Sequence, residues 1–276
     1  MAMAKRTNMN TASMDKSAAG ITSRLFWEKR ALDYTPPFKE DILAQTNQTI
    51  SVMESKGLSI EGARILDIGS GPGTFALPLA LRGASVTALD ISGNMLKRLA
   101  AEARHSSISG VKTIRASWKE FDPVQAGLSG AFDIVISALS IAVKTKRDIL
   151  KMEQCSRQWC VCIATGRIRR AALCEAALRM FRASLNPRPD IRNIREKLEQ
   201  MGRAFSYESF PVAVEEKKTI AELVEDVAKR LEAEGKAPDR QKIAGVISSL
   251  VKGSGENGTI ECTRHSDRGV LIWRVD

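Results

Sequence analysis

The chain has 276 residues, 43% hydrophobic and 27% charged, the balance of a globular protein with a sizeable core. No stretch approaches the roughly 18 consecutive apolar residues of a membrane span. The polar N-terminus lacks the apolar segment of a secretory signal, so the expected location is cytoplasmic. A formal net charge of +10 leans towards anionic partners.

In chain order, residues 1–23 read as a disordered tail. Residues 24–57 form a helical cap: a helix, a break at Pro36-Pro37, and a second helix. Trp27 and Tyr34, seven apart, share a helix face in this reading. From residue 63 to 166, apolar runs alternate with helical patterns. The runs 63–69, 85–90, 111–117, 132–139 and 159–166 read as strands, several apolar on both faces, as in a helix-covered parallel sheet. Between the second and third, Ser92 can cap a helix whose apolar stripe is Met95, Leu96, Leu99, Ala100 and Ala103. Strand, helix, strand at this rhythm predicts a doubly wound α/β fold.

Downstream the rhythm changes. Residues 169–184 and 189–202 are two successive helical patterns, and 205–216 a strand. Residues 219–235 form a helix with Thr219 and Glu222 at capping-box spacing and Gly235 as a stop. Residues 239–253 read as another helix and 269–275 as the last strand. Residues 164–204 hold ten basic side chains against four acidic ones, so the basic excess is local and defines an insert at 167–204. The whole of 24–276 reads as one domain.

The five cysteines, 155, 160, 162, 174 and 262, lack metal-ligand spacing and have only two histidines to join them. They read as structural thiols of a reducing compartment, with Cys160 and Cys162 on one strand face. His105 ends a helix and His265 marks a hairpin tip before the last strand; both are expected on the surface, and no metal site is expected.

The stretch "LDIGSGPG", 66–73, carries the chemistry. A dinucleotide fingerprint starting at Gly69 needs glycine at position 74, which is Thr, and no Gly-Lys-Ser/Thr closes a P-loop. Instead Asp67 stands two residues before glycines at 69, 71 and 73. A carboxylate there repels a pyrophosphate and suits an ammonium group. Asp90, at the tip of the next strand, is placed to accept the two hydroxyls of a ribose.

On these residues, and on "FDIVISAL" as a fourth motif, the sequence resembles the class I S-adenosylmethionine-dependent methyltransferases. The resemblance implies a Rossmann-like, doubly wound sheet of seven mostly parallel strands with an antiparallel last strand and extra helices. It implies S-adenosylmethionine as cofactor, with Gly69, Ser70, Gly71 and Gly73 beneath its methionine and adenosine. Asp67 would hold the amino end, Asp90 the ribose, and Ile91 and Met95 the border of the adenine. The family's acidic adenine reader is replaced by Ser117, with Trp118 following. In many relatives a segment before the sheet folds over the cofactor, a lid role open to Trp27 and Tyr34; the other reading packs them on the sheet.

Methyl transfer from a sulfonium asks mainly for alignment and exclusion of water, so the donor site is more legible than the acceptor. After the fourth strand stand Ser137, Ala138, Leu139 and Ser140, with Ser137 a further site candidate, in place of the Asn-Pro-Pro-Tyr of adenine and glutamine methylation. The basic insert could wall an acceptor pocket or simply face solvent. Its aromatics, Phe181 and Phe205, are thin for base stacking. A small metabolite is therefore favoured as partner, an anionic one suiting the basic stretch. The alternatives are a tRNA or rRNA methyltransferase and a non-catalytic cofactor-binding module.

Overall fold

A computed structural model describes residues 24–169, 172–181, 190–233, 236–251 and 259–275. The predicted tail, Gly235 and part of the basic insert lie outside them. One sheet contains seven strands: β1 (Arg64–Ile68), β2 (Ser85–Asp90), β3 (Val111–Arg115), β4 (Phe132–Ala138), β5 (Ser156–Arg169), β6 (Phe205–Thr219) and β7 (Thr259–Arg274). Their order is β3-β2-β1-β4-β5-β7-β6. The first five run parallel and β7 is antiparallel to both neighbours. This is the doubly wound, mostly parallel arrangement expected, with the antiparallel last strand in place.

The helices are α1 (Arg24–Arg30), α2 (Glu40–Ser55), α3 (Ala76–Leu81), α4 (Gly93–His105), α5 (Lys146–Cys155), α6 (Ala172–Met180), α7 (Ile191–Gln200), α8 (Ile220–Ala233) and α9 (Arg240–Leu250). Strand side chains alternate between two cores, so consecutive residues part company. Ile65 and Ile134 join Ile50, Met53, Leu77 and Leu99 on one face. Leu66 and Val135 join Ile149, Met152, Ile194 and Leu198 on the other. Each such fully buried side chain contributes about 1.5–3 kcal/mol. Cys160 and Cys162 share that second face, buried beside Cys155.

A third cluster is built by helices, with Ile260 of β7 packed against it. Leu178 of α6, Leu223, Val224, Val227 and Leu231 of α8, and Ile243 and Ile247 of α9 bury one another. The capping box forms as expected: the Thr219 amide donates to Glu222 Oε2 at 2.8 Å and the Glu222 amide to Thr219 Oγ1 at 3.2 Å.

Three expectations are corrected here. The β6–β7 ladder runs from Phe205↔Trp273 to Thr219↔Thr259, well beyond the predicted strands. Backbone pairing satisfies N–H and C=O groups whatever the side chains, so hydropathy under-reports its length. His265 is therefore not at a hairpin tip; it lies mid-strand, opposite Ala213, and is exposed. Trp27 and Tyr34 do not share a helix face. The α-helix gives way to a 3-10 turn at Ala31–Asp33, and Tyr34 is the extended residue after it.

Candidate functional site

The cavity of interest, about 580 Å³, opens at the carboxyl ends of β1, β2 and β4 and beside the loop following β3, where open α/β sheets bind their ligands. The sequence dictates its floor locally. After β1 the amides of Gly69 and Ser70 both donate to the Leu89 carbonyl, at 2.7 and 3.1 Å, locking the loop to the tip of β2. Gly69 has φ +72°, and a Cβ there would meet Ser140 Oγ at 1.9 Å. Glycine is required so that the β4–α5 loop can cross the glycine loop.

Of the predicted residues, Asp67, Gly69, Ser70, Gly71, Asp90, Ile91, Met95, Ser117 and Trp118 line this cavity, together with Trp27 and Tyr34. Gly73 and Ser137 stand behind the lining. A Cβ at Gly73 would meet Leu77 and Leu99 within about 3.0 Å, so its smallness serves helix packing. Ser137 is buried and its hydroxyl donates to the Ile68 carbonyl at 3.4 Å.

The two aspartates have different surroundings. Asp90 accepts the Gly71 amide at 2.9 Å on Oδ2 and the Ser92 amide at 2.8 Å on Oδ1. Burial raises its pKa above the usual carboxylate value, and these two bonds offset only part of that rise. Asp67 is 1% exposed, and neither of its oxygens makes a hydrogen bond. Burial, with a smaller push from Asp90, raises its pKa to about 8; the Ala76 amide, outside hydrogen-bonding geometry, offsets part of this. Asp67 is thus a carboxyl ready to ionise once a cation arrives.

Among the described residues, four buried side-chain polar atoms have no hydrogen-bond partner: Asp67 Oδ1 and Oδ2, Ser70 Oγ and Trp118 Nε1. All belong to residues of this one cavity. Buried polar groups are paired in more than about nine cases in ten, so three lining residues with unpartnered polar atoms make this a candidate ligand site. Among the described residues no group of three or more His, Cys, Asp or Glu side chains is placed to hold a metal ion.

Sequence reasoning missed how the N-terminal segment is fastened. Glu28 of α1 caps α4, accepting the Gly93 amide at 3.0 Å, the Asn94 amide at 2.8 Å and the Ser92 hydroxyl at 3.0 Å. Those bonds, with Arg115 nearby at 3.3 Å, hold its carboxyl below the usual range. One turn along α4, Arg98 donates to the carbonyls of Ala31, Leu32 and Tyr34. Trp27 and Tyr34 are thereby set over the cavity. The partners lie 64 to 67 residues apart, which periodicity cannot register. Glu28→Gln is expected to lower the melting temperature by about 2–4 °C and to speed proteolysis within 24–34; unchanged cleavage kinetics would argue against this fastening.

The described part of the basic insert does not reach the cavity. Arg192 pairs with Asp190, Arg195 with Glu199 at 2.9 Å, and Arg203 with the buried Glu153 at 2.8 Å. None of these lines it.

Residues 65–159 match the family profile described as "Methyltransferase domain". Over these residues, with the strand order and the glycine loop beside the match, the chain is similar to the class I S-adenosylmethionine-dependent methyltransferases. The chain is similar to a ubiquinone biosynthesis O-methyltransferase of Chromobacterium violaceum, 40% identical over 77 residues, which are 28% of this chain and 32% of that one. It is also similar to a 23S rRNA (uracil(1939)-C(5))-methyltransferase of Ralstonia nicotianae, 35% identical over 96 residues, 30% of this chain and 21% of that one. The chain spans half or less of the length of the curated relatives it matches. A putative sarcosine dimethylglycine methyltransferase from Galdieria sulphuraria shares its fold, with TM-score 0.52 at 14% identity, covering 95% of this chain and 99% of that one. No described helix is long and apolar enough to cross a membrane.

Proposed function

We propose that this chain is an S-adenosylmethionine-dependent methyltransferase acting on a small, anionic metabolite. The observation carrying this reading is the convergence of unpartnered buried polar atoms from Asp67, Ser70 and Trp118 on one cavity. Its volume lies within the roughly 300–1,000 Å³ of small-molecule sites.

The residues present fit the methyl donor. Asp67 would hold the amino group, its ionised form being favoured by the incoming ammonium. Asp90, already oriented by two backbone amides, would accept from the ribose hydroxyls with its remaining lone pairs. Ile91 and Met95 would border the adenine, with backbone groups at Ser117 and Trp118, or the Trp118 ring, in place of the family's acid. When bound, S-adenosylmethionine supplies an electrophilic methyl group on a sulfonium. The chain's own task is alignment and exclusion of water, for which Trp27 and Tyr34 form the cover. The buried thiols of Cys155, Cys160 and Cys162 suit a reducing, cytoplasmic compartment.

Asp90→Asn is expected to weaken S-adenosylhomocysteine binding about 10- to 100-fold, the scale of charged hydrogen bonds. Calorimetry returning wild-type affinity would remove the ribose assignment. The similarity to an rRNA methyltransferase favours a second reading, RNA as acceptor. Binding of a structured RNA that falls steeply with added salt would establish it; cofactor binding without turnover on any acceptor would indicate a non-catalytic module.

A further inference from the structure

The charge lining the cavity is divided. Asp67 and Asp90 lie at the tips of β1 and β2, while Lys119, Lys144 and Arg147 line the side built by the first turn of α5 and the loop after β3. Asp148, the other acid on the lining, is already engaged: its Oδ2 accepts the amides of Lys144 and Thr145, at 3.1 and 2.9 Å, and the Thr145 hydroxyl at 2.8 Å. Neither Lys119, Lys144 nor Arg147 makes an ion pair within 4.0 Å among the described residues.

Lys151 brings the three together. Its ammonium group donates to the carbonyls of Trp118, Lys119 and Phe121 and lies over the Trp118 ring, 4.7 Å from its centre. That contact docks α5 against the β3 loop, with Lys151 one helical turn from Arg147. Burial lowers the pKa of Lys144 and of Lys151, and the Asp148 charge offsets part of this in both, while Arg147 adds to the lowering at Lys151. Three cations on one side of the cavity, none in an ion pair within 4.0 Å among the described residues, favour an anion there.

The ledge is also rigid. Leu139 holds φ +52°, a conformation costly for a non-glycine residue, and its amide donates to the Ile163 carbonyl at 2.7 Å. Ser140 packs on Gly69, and Thr145 and Asp148 close a capping box on α5. The backbone that carries Lys144 and Arg147 is therefore fixed against the glycine loop, which favours a preorganised recognition element.

We propose that Lys144 and Arg147, with Lys119 beside them, form an anion subsite that takes a carboxylate or phosphate group of the methyl acceptor. The inference rests on the methyltransferase reading above. It places the basic recognition element on the β4–α5 side, not in the arginine-rich insert.

The test uses the full chain saturated with S-adenosylhomocysteine, titrated by calorimetry with inorganic phosphate and, separately, malonate at constant ionic strength. Saturable binding of at least one anion is expected, weakened about tenfold or more in Lys144→Met/Arg147→Met and retained in Lys144→Arg/Arg147→Lys. The S-adenosylhomocysteine affinity and melting temperature should stay close to wild type. Preference for phosphate identifies a phosphate ester, and preference for malonate an organic acid. No saturable anion binding, or equal binding by the Met variant, overturns the subsite. So does tight binding of an RNA hairpin that the Met variant loses and phosphate does not displace, which reassigns the ledge to nucleic acid. If S-adenosylhomocysteine itself fails to bind, the methyltransferase reading falls; if it binds and the anion results fail, only the subsite falls.

Discussion

At pH 8, Asp67→Asn is expected to raise the melting temperature of the ligand-free chain while weakening S-adenosylhomocysteine binding at least a hundredfold. Both effects come from one buried carboxyl. In the folded chain Asp67 has a pKa of about 8, against 3.8 for the ordinary side chain. A raised carboxyl pKa means the folded state keeps its proton while the unfolded chain has released its own. The stability Asp67 allows is thus fully present below about pH 4 and is lost as pH rises towards 8. Asparagine has the same shape and nothing to ionise, so it escapes that loss. The gain should be about 1–3 kcal/mol at pH 8 and disappear near pH 4. Binding reverses the balance: an ammonium group needs the ionised carboxylate, and losing that charged contact costs about 3 kcal/mol. Because Asp67 must give up its proton as the ligand enters, wild-type affinity should climb with pH up to about 8, by as much as tenfold per unit. The asparagine variant should lack this climb. Thermal melts and calorimetry at several pH values check both halves. A flat wild-type binding profile would show that Asp67 does not receive the amino group.

Gly69→Ala is the second large effect. A methyl group at this position would stand 1.9 Å from Ser140 Oγ and 2.8 Å from Ser140 Cβ, at a backbone φ of +72°. Overpacking costs about 1–3 kcal/mol, and the left-handed conformation adds about 1 kcal/mol for alanine. The sum, about 2–4 kcal/mol, should lower the melting temperature by roughly 5–15 °C. The nearest obstruction is a side chain, so Gly69→Ala/Ser140→Gly should recover the packing share and leave the backbone share. An alanine variant as stable as wild type would mean that the β4–α5 loop does not rest on the glycine loop in solution.

The glycine-loop side of the cavity was readable because its determinants are local. A glycine loop after a strand, Asp67 within it and Asp90 at the next strand tip are set by spacing along 24 residues, and the parallel sheet brings the two tips together automatically. Trp27 and Tyr34 were named for this side too, though through a helix that ends at Arg30; the 3-10 turn and Arg98 deliver Tyr34 instead. Glu28, Lys144 and Arg147 escaped notice. Each looks like an ordinary surface charge until its neighbours are known. The described part of the arginine-rich insert lies away from the cavity, and its Arg203 is paired with Glu153.

Strand and helix rhythm, the glycine turn and the two carboxylates follow from interactions over a few residues, where propensity and periodicity act directly. The burial that strips Asp67 of partners, the crossing of Ser140 over Gly69, and the gathering of lysines around α5 depend on segments 30 to 70 residues apart. Those distances are closed by packing of the two cores. Only the folded chain shows which charges are left to meet a ligand and which have already met each other.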